Sequence, residues 1–294
     1  MTAIEIHNLT KNYGKSRGIT NIQLQVEAGE CFGFIGPNGA GKSTTIRTML
    51  GFIKPTSGKA FVLEKDCESE SVQIKQCTGY LPSETFFYPH MKVKDMLALS
   101  QKIRGLDCRT EATLLSNRLN LDLHKRVREL SFGNRKKLGI ILALQHNPNV
   151  LILDEPTSGL DPLMQKEFFE IIRERNRQGV TVFLSSHILS EIQHNCTRAA
   201  IIRDGKIIAC DSVENLSKNN AKRVCIHYAT ENDIAHSLAH FGGVKDYAVS
   251  ASYVQTFLYT GNIDVLVKQL AIVNLQDITI QEPDLEEVFM HYYE

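Results

Sequence analysis

Gly36-Pro37-Asn38-Gly39-Ala40-Gly41-Lys42-Ser43-Thr44 is the stretch on which the reading of this chain turns. It fits G-x-x-x-x-G-K-[ST], a loop whose backbone N–H groups wrap phosphate oxygens. Glycines let the main chain close on an anion where a Cβ would clash. The preceding run, Cys31-Phe32-Gly33-Phe34-Ile35, is continuously apolar, as a strand buried on both faces must be. Residues 44–50 then predict a helix, whose N-terminus adds partial positive charge. Strand, loop and helix in this order predict a nucleoside triphosphate site. Lys42 supplies a point charge to the β- and γ-phosphates, and Ser43 ligates Mg2+.

A second strand, Val150-Leu151-Ile152-Leu153, ends in Asp154-Glu155-Pro156. It delivers two carboxylates to the C-terminal edge of a parallel sheet, where ligands bind in such sheets. Asp154 is expected to hold Mg2+ and Glu155 to orient and activate an attacking water. Around these motifs, residues 4–7 and 22–26 alternate with period two and predict an antiparallel sheet. Residues 52–58 read as loop, punctuated by Pro55 and Gly58. The span 83–149 reads as mainly helical; Val93, Met96, Leu97 and Leu99 share one face, Leu114, Leu115, Arg118 and Leu119 another. A helix at 132–145 stops before Pro148. Strands at 180–184, 199–203 and 206–209 follow a helix at 163–177, with Asp204-Gly205 as a hairpin turn. Buried strands alternating with helices predict an α/β fold with crossover helices.

Composition bounds the alternatives. The 294 residues are 43% hydrophobic and 22% charged, which excludes disorder and disulfide scaffolds. Lys and Arg total 33, Asp and Glu 33, and this balance argues against a nucleic-acid partner. The cluster Lys125, Arg126, Arg128, Arg135, Lys136, Lys137 reads as a solvated helix face. Seven scattered cysteines without CxxC spacing read as reduced thiols packed as small apolar groups. No run of about 20 apolar residues exists, so no direct membrane span is expected. The start, Met1-Thr2-Ala3-Ile4-Glu5-Ile6, lacks the pattern of a secretory leader.

Four further segments fall in a family's order. Leu130-Ser131-Phe132-Gly133-Asn134 stands where a Leu-Ser-Gly-Gly-Gln signature is usual, and Ser158-Gly159-Leu160-Asp161 matches a D-loop. Ser185-Ser186-His187 matches a switch histidine at a strand end, and Tyr13 stands where an aromatic ring stacks on adenine. Over about residues 3–210 the sequence closely resembles the nucleotide-binding domain of ABC transporters. The resemblance implies a P-loop NTPase (RecA-like) parallel sheet with an antiparallel β subdomain and a helical subdomain. It implies ATP and Mg2+ as cofactors, with catalysis by Glu155 and His187. Tyr13, the 36–44 loop, Ser131, Gly133 and Asp161 would bind nucleotide. Ser43, Asp154 and Ser83 would face the metal. It implies a head-to-tail dimer, the Lys42 loop of one subunit meeting the Ser131 loop of the other across ATP. A homodimer is expected before a heterodimer. The other partners implied are polytopic membrane permease subunits, placing the chain at the cytoplasmic face of the plasma membrane.

Two departures stand out. Phe132 replaces the first signature glycine and Asn134 the glutamine, while Ser131 and Gly133 remain. Ser83 stands where the Q-loop glutamine is usual and, being shorter, would reach a metal only through water; Glu84 beside it is the alternative for that role. A polar stretch at 216–220 predicts a boundary, giving an ATP-binding domain over 1–215 and an accessory domain over 216–294. Strand at 224–228, helix at 232–240, strands at 244–250 and 253–259, helix at 263–272 and strand at 275–280 give βαββαβ, a ferredoxin-like order. A closing helix is expected at 284–292. Its Glu282-Pro283-Asp284-Leu285-Glu286-Glu287-Val288-Phe289 is similar to the tails of separate-chain ATPases of bacterial drug and antibiotic-peptide exporters. Two other readings remain at this level. One is a soluble ABC ATPase acting on ribosome or DNA, against which stand the single P-loop and the absence of sustained heptads. The other is a regulatory ATP-binding module with little turnover, against which stand Glu155 and His187.

Overall fold

Two strands, β1 (Thr2–Tyr13) and β2 (Ser16–Glu27), pair antiparallel in the computed structural model of the chain. It describes residues 1–14, 16–217, 222–228, 230, 236–250, 253–271 and 273–281. Alternation explains the pairing: Ile4, Ile6, Ile22, Leu24 and Val26 all turn inward. β4 (Ser57–Val62) and β5 (Lys65–Asp66) complete this sheet in the order β2-β1-β4-β5. The loop expected at 52–58 therefore ends early. Gly58 belongs to a strand, at φ +81, because a Cβ there would lie 2.3 Å from the Asn8 carbonyl oxygen. The glycine that reads as punctuation is a close crossing of β4 on β1.

The second sheet carries the phosphate loop. Its order is β10-β9-β3-β8-β7-β6. The members are β3 (Cys31–Ile35), β6 (Thr78–Leu81), β7 (Val150–Asp154), β8 (Thr181–Ser186), β9 (Arg198–Arg203) and β10 (Lys206–Ser212). All neighbours are parallel except the β9–β10 hairpin. Every residue of β3, β7 and β8 is buried, and their centres read as apolar runs; the polar ends, Asp154 on β7 and Ser185-Ser186 on β8, lie at the edge that carries the site. Phe183 on β8 stacks on Phe32 of β3 with ring centres 6.0 Å apart and lies tilted against Phe34 at 5.3 Å. Such ring pairs contribute about 0.5–1.5 kcal/mol each beyond area burial.

Helices pack around that sheet. α1 (Lys42–Met49) begins two residues earlier than the sequence suggests, and α2 (Ser71–Cys77) was not anticipated. α3 (Val93–Arg104), α4 (Arg109–Arg118) and α5 (Phe132–Leu144) form the helical part, and α6 (Pro162–Arg177) and α7 (Leu189–Asn195) follow. Leu114 does not join the buried face of α4: Ala112, Leu115 and Ser116 do, with Leu119 beyond. Arg118 instead reaches α6, pairing with Glu167 at 2.7 Å and Glu174 at 2.5 Å.

The chain divides into two compact units, Met1–Val213 and Glu214–Glu294. α8 (Val213–Ser217) falls at the division. The second unit holds β11 (Lys222–His227), β12 (Val244–Val249), β13 (Val254–Tyr259), α9 (Ile263–Leu270) and β14 (Asp277–Gln281). Its antiparallel order is β12-β13-β11-β14, the ferredoxin-like order. Val224, Ile226, Phe257 and Leu266 form its own core. Where a helix was expected at 232–240, His236–His240 is a 3-10 turn and 231–235 lie outside the described residues. The expected helix at 284–292 also lies outside them.

Candidate functional site

The loop between β3 and α1 folds as its glycines require. Gly39 and Gly41 take φ +81 and +111, a region that other residues enter only with strain. A Cβ on Gly36 would lie 2.3 Å from the Ile202 carbonyl oxygen, and one on Gly41 2.7 Å from Ile19. Ala40 is buried beneath the loop. Lys42 is buried too; its Nζ donates to the Gly36 oxygen at 2.6 Å and the Pro37 oxygen at 3.3 Å. The loop faces a cleft of about 930 Å³. Pro37, Asn38, Gly39, Lys42, Ser43 and Thr44 line one side; Ser83, Glu84, Arg128, Phe132 and Arg135 reach it from the helical part.

β7 and β8 bring the acids to this cleft. Asp154 is 1% exposed and accepts from Ser43 Oγ at 2.8 Å and from Ser185 Oγ at 3.0 Å. A buried carboxylate beside a hydroxyl, both hard oxygen donors, suits Mg2+ carried by a triphosphate. Glu155 adopts φ 49, a left-handed conformation that costs an ordinary residue about 1–2 kcal/mol. The conformation turns its carboxylate back over the loop. Oε1 lies 3.3 Å from Lys42 Nζ, and Oε2 lies 2.6 Å from His187 Nδ1. A carboxylate held between an ammonium and an imidazole can accept a proton from water in the cleft.

The other expected site residues lie elsewhere. Tyr13 ends β1, is 44% exposed, and stands outside the cleft lining, with Lys11 Nζ 5.3 Å from its ring. Ser131 caps α5, accepting from the Asn134 N–H at 3.3 Å. Asp161 caps α6, accepting from the Met164 N–H at 3.0 Å. Gly133 packs on the D-loop, where a Cβ would meet the Gly159 oxygen at 2.7 Å. The ring of Phe132 covers Gly159 itself, which has no room for a Cβ beside it. So the unusual signature residue packs against the D-loop of its own chain.

Sequence reading missed three supports. Lys136 is 1% exposed, so it does not belong to the solvated basic face expected of it. Its Nζ donates to the Pro82 and Ser83 carbonyl oxygens at 3.1 Å each, tying α5 to the segment before Glu84. Burial pushes its pKa down to about 8, while Asp154 and Glu155 oppose the shift. Ser185 was seen only as part of a motif, yet it holds Asp154. Glu191 carried no local signal; its partners are Thr157 and Ser186. The seven cysteines are free; Cys31, Cys67, Cys108 and Cys196 are buried, and Cys210 is exposed.

A family model described as ABC transporter matches residues 19–158. A bacitracin transport ATP-binding protein of Bacillus licheniformis is 33% identical, over 98% of this chain and 96% of that protein. The chain belongs to the ABC transporter ATP-binding family. It is therefore an ATPase subunit of P-loop fold. A linearmycin resistance ATP-binding protein of Bacillus subtilis (strain 168) is 30% identical over 98% of this chain and 97% of its own length. Among solved structures, the ATP-binding subunit of an ABC transporter aligns at TM-score 0.70 and 26% identity. That alignment covers 74% of this chain and 92% of that one. No helix among the described residues is long and apolar enough to cross a membrane.

Proposed function

We propose that the chain powers export through separate polytopic permease subunits at the cytoplasmic face of the plasma membrane. The carrying observation is the end-to-end similarity to a bacitracin transport ATP-binding protein, which extends through the C-terminal unit. The cargo class that this similarity supports is antibiotic-like, and cargo contacts belong to the permease.

The roles proposed for the site join the geometry of the cleft to the family resemblance, on which the roles of Tyr13, Ser131, Gly133 and Asp161 rest. The 36–44 loop and Lys42 bind the phosphates of ATP, and Tyr13 stacks on adenine. Ser43 and Asp154, with Ser83 through water, hold Mg2+, which supplies charge neutralisation at the phosphates. Glu155 takes a proton from the attacking water, and His187 orients Glu155 and the γ-phosphate. Ser131, Gly133 and Asp161 act across a dimer of two such chains. Ser131 and Asp161 cap helix N-termini within their own chain, and a capped helix N-terminus presents N–H groups suited to an anion. Two copies of one chain complete both sites; hydrolysis removes the γ-phosphate bridge and lets them part.

A groove of about 600 Å³ supports permease docking. Phe52, Tyr80, Phe86, Tyr88, Met96 and Ile103 line it. Phe86 is 86% exposed, and an open aromatic rim of this kind marks a protein-binding site. Affinity purification from detergent-solubilised membranes tests the reading. The expected result is a stoichiometric polytopic partner, lost on Tyr88→Asp, which lines this groove and not the nucleotide cleft, with ATP binding intact. Recovery of ribosomes, or of the chain alone, would overturn it.

A further inference from the structure

We propose that Glu191 is a positioning residue for hydrolysis: its buried carboxylate ties the turn after Glu155 to the loop carrying His187. Glu191 is 8% exposed, and among the described residues its carboxylate meets hydroxyls and no cation. A buried carboxyl without a counter-charge is costly and needs its oxygens satisfied. Here both go to hydroxyls. Thr157 Oγ1 donates to Oε1, and Ser186 Oγ donates to Oε2 at 2.7 Å. Thr157 stands two residues after Glu155, and Ser186 immediately precedes His187. Ser186 Oγ also accepts from the Ile188 N–H at 2.9 Å, so the histidine is braced on both sides.

The brace has a fixed base. The Glu191 carbonyl accepts from Asn195 Nδ2 at 2.7 Å, and Asn195 Oδ1 accepts from Arg173 of α6 at 3.0 Å. Its load is the left-handed backbone of Glu155. A residue stays in such a conformation only where its surroundings over-determine it. The Glu155 N–H donates to the Ser185 oxygen at 2.9 Å on one side. Thr157, held by Glu191, fixes the other. The consequence is the 2.6 Å contact between Glu155 and His187.

The inference rests on the roles proposed for Glu155 and His187. Its test is steady-state ATP hydrolysis by the full chain carrying Glu191→Gln, Thr157→Val, or both, with Glu155→Gln as control. Each single variant is expected to lower kcat about tenfold or more while KM for ATP stays within about twofold, because the Lys42 loop is untouched. The double variant is expected to be no slower than Glu191→Gln alone, since the contact that Thr157→Val removes is one that Glu191→Gln already weakens. Wild-type kcat in both single variants would overturn the proposal. So would kcat and ATP affinity falling together with Tm, or additive losses. A Glu155→Gln chain that turns over normally would remove the group to be positioned. Slow Glu155→Gln beside normal Glu191→Gln and Thr157→Val would sink the brace alone.

Discussion

Glu155 carries two separable burdens, a charge and a backbone strain, and substitutions divide them. Glu155→Gln keeps the side-chain shape but cannot take a proton. Turnover is expected to fall about 10²–10⁴-fold while ATP still binds, measured by phosphate release beside nucleotide titration. Normal turnover would remove Glu155 as the base. Glu155→Gly and Glu155→Ala both lose the carboxylate and its contacts to Lys42 and His187. They differ only at the backbone, where φ 49 favours glycine. The glycine variant is expected to be more stable than the alanine variant by about 1 kcal/mol in urea denaturation, the reverse of the usual order. Lys42→Ala, by contrast, is expected to abolish nucleotide binding, because it removes the ammonium at the heart of the loop.

At the scale of elements, legibility follows burial pattern. β3, β7 and β8 announce themselves because each is buried throughout and carries a continuous apolar stretch: Phe32 to Ile35 apart from Gly33, Val150 to Leu153, and Val182 to Leu184. β4 and β6 do not: β4 is largely exposed or half-buried, and β6 is only four residues, Thr78 to Leu81, with a glycine required by close packing. A Cβ on Gly79 of β6 would stand 2.1 Å from the Ala143 oxygen. Motif residues on one loop were readable; residues that act across distance were not. Thr157 meets Glu191 34 positions away, and Lys136 meets Ser83 53 positions away. No local pattern encodes such pairs. The end of α5 shows the same effect. His146 is buried against the Thr78 carbonyl oxygen at 3.2 Å. Burial, with Arg104 nearby, pushes its pKa down to about 4. Free histidine titrates near 6.5, so between about pH 6.5 and 4 the unfolded chain takes up a proton that the fold refuses. The stabilisation is complete above about 6.5 and is lost as pH falls through that window, by up to about 3 kcal/mol. Urea midpoints measured from pH 7 to 4.5 should fall less steeply in His146→Gln; identical slopes would place the acid sensitivity elsewhere.

For the whole molecule, the division of the chain makes a claim about autonomy. Every group proposed to act at the nucleotide site, from Tyr13 to Glu191, belongs to the Met1–Val213 unit. So do both of its sheets. The Glu214–Glu294 unit has a separate core, from Val224 and Ile226 on β11 to Leu266 and Leu270 on α9. A unit with its own core and a complete sheet can fold alone. A chain ending at Ser217 is therefore expected to stay folded and to bind ATP within about threefold of the full chain, because no phosphate contact is lost. What it should lose is whatever the second unit adds, assembly or regulation, read as weaker recovery of the membrane partner. Both results together separate the two units by role. Aggregation of the shortened chain, or loss of its ATP binding, would show instead that the ferredoxin-like unit completes the first core.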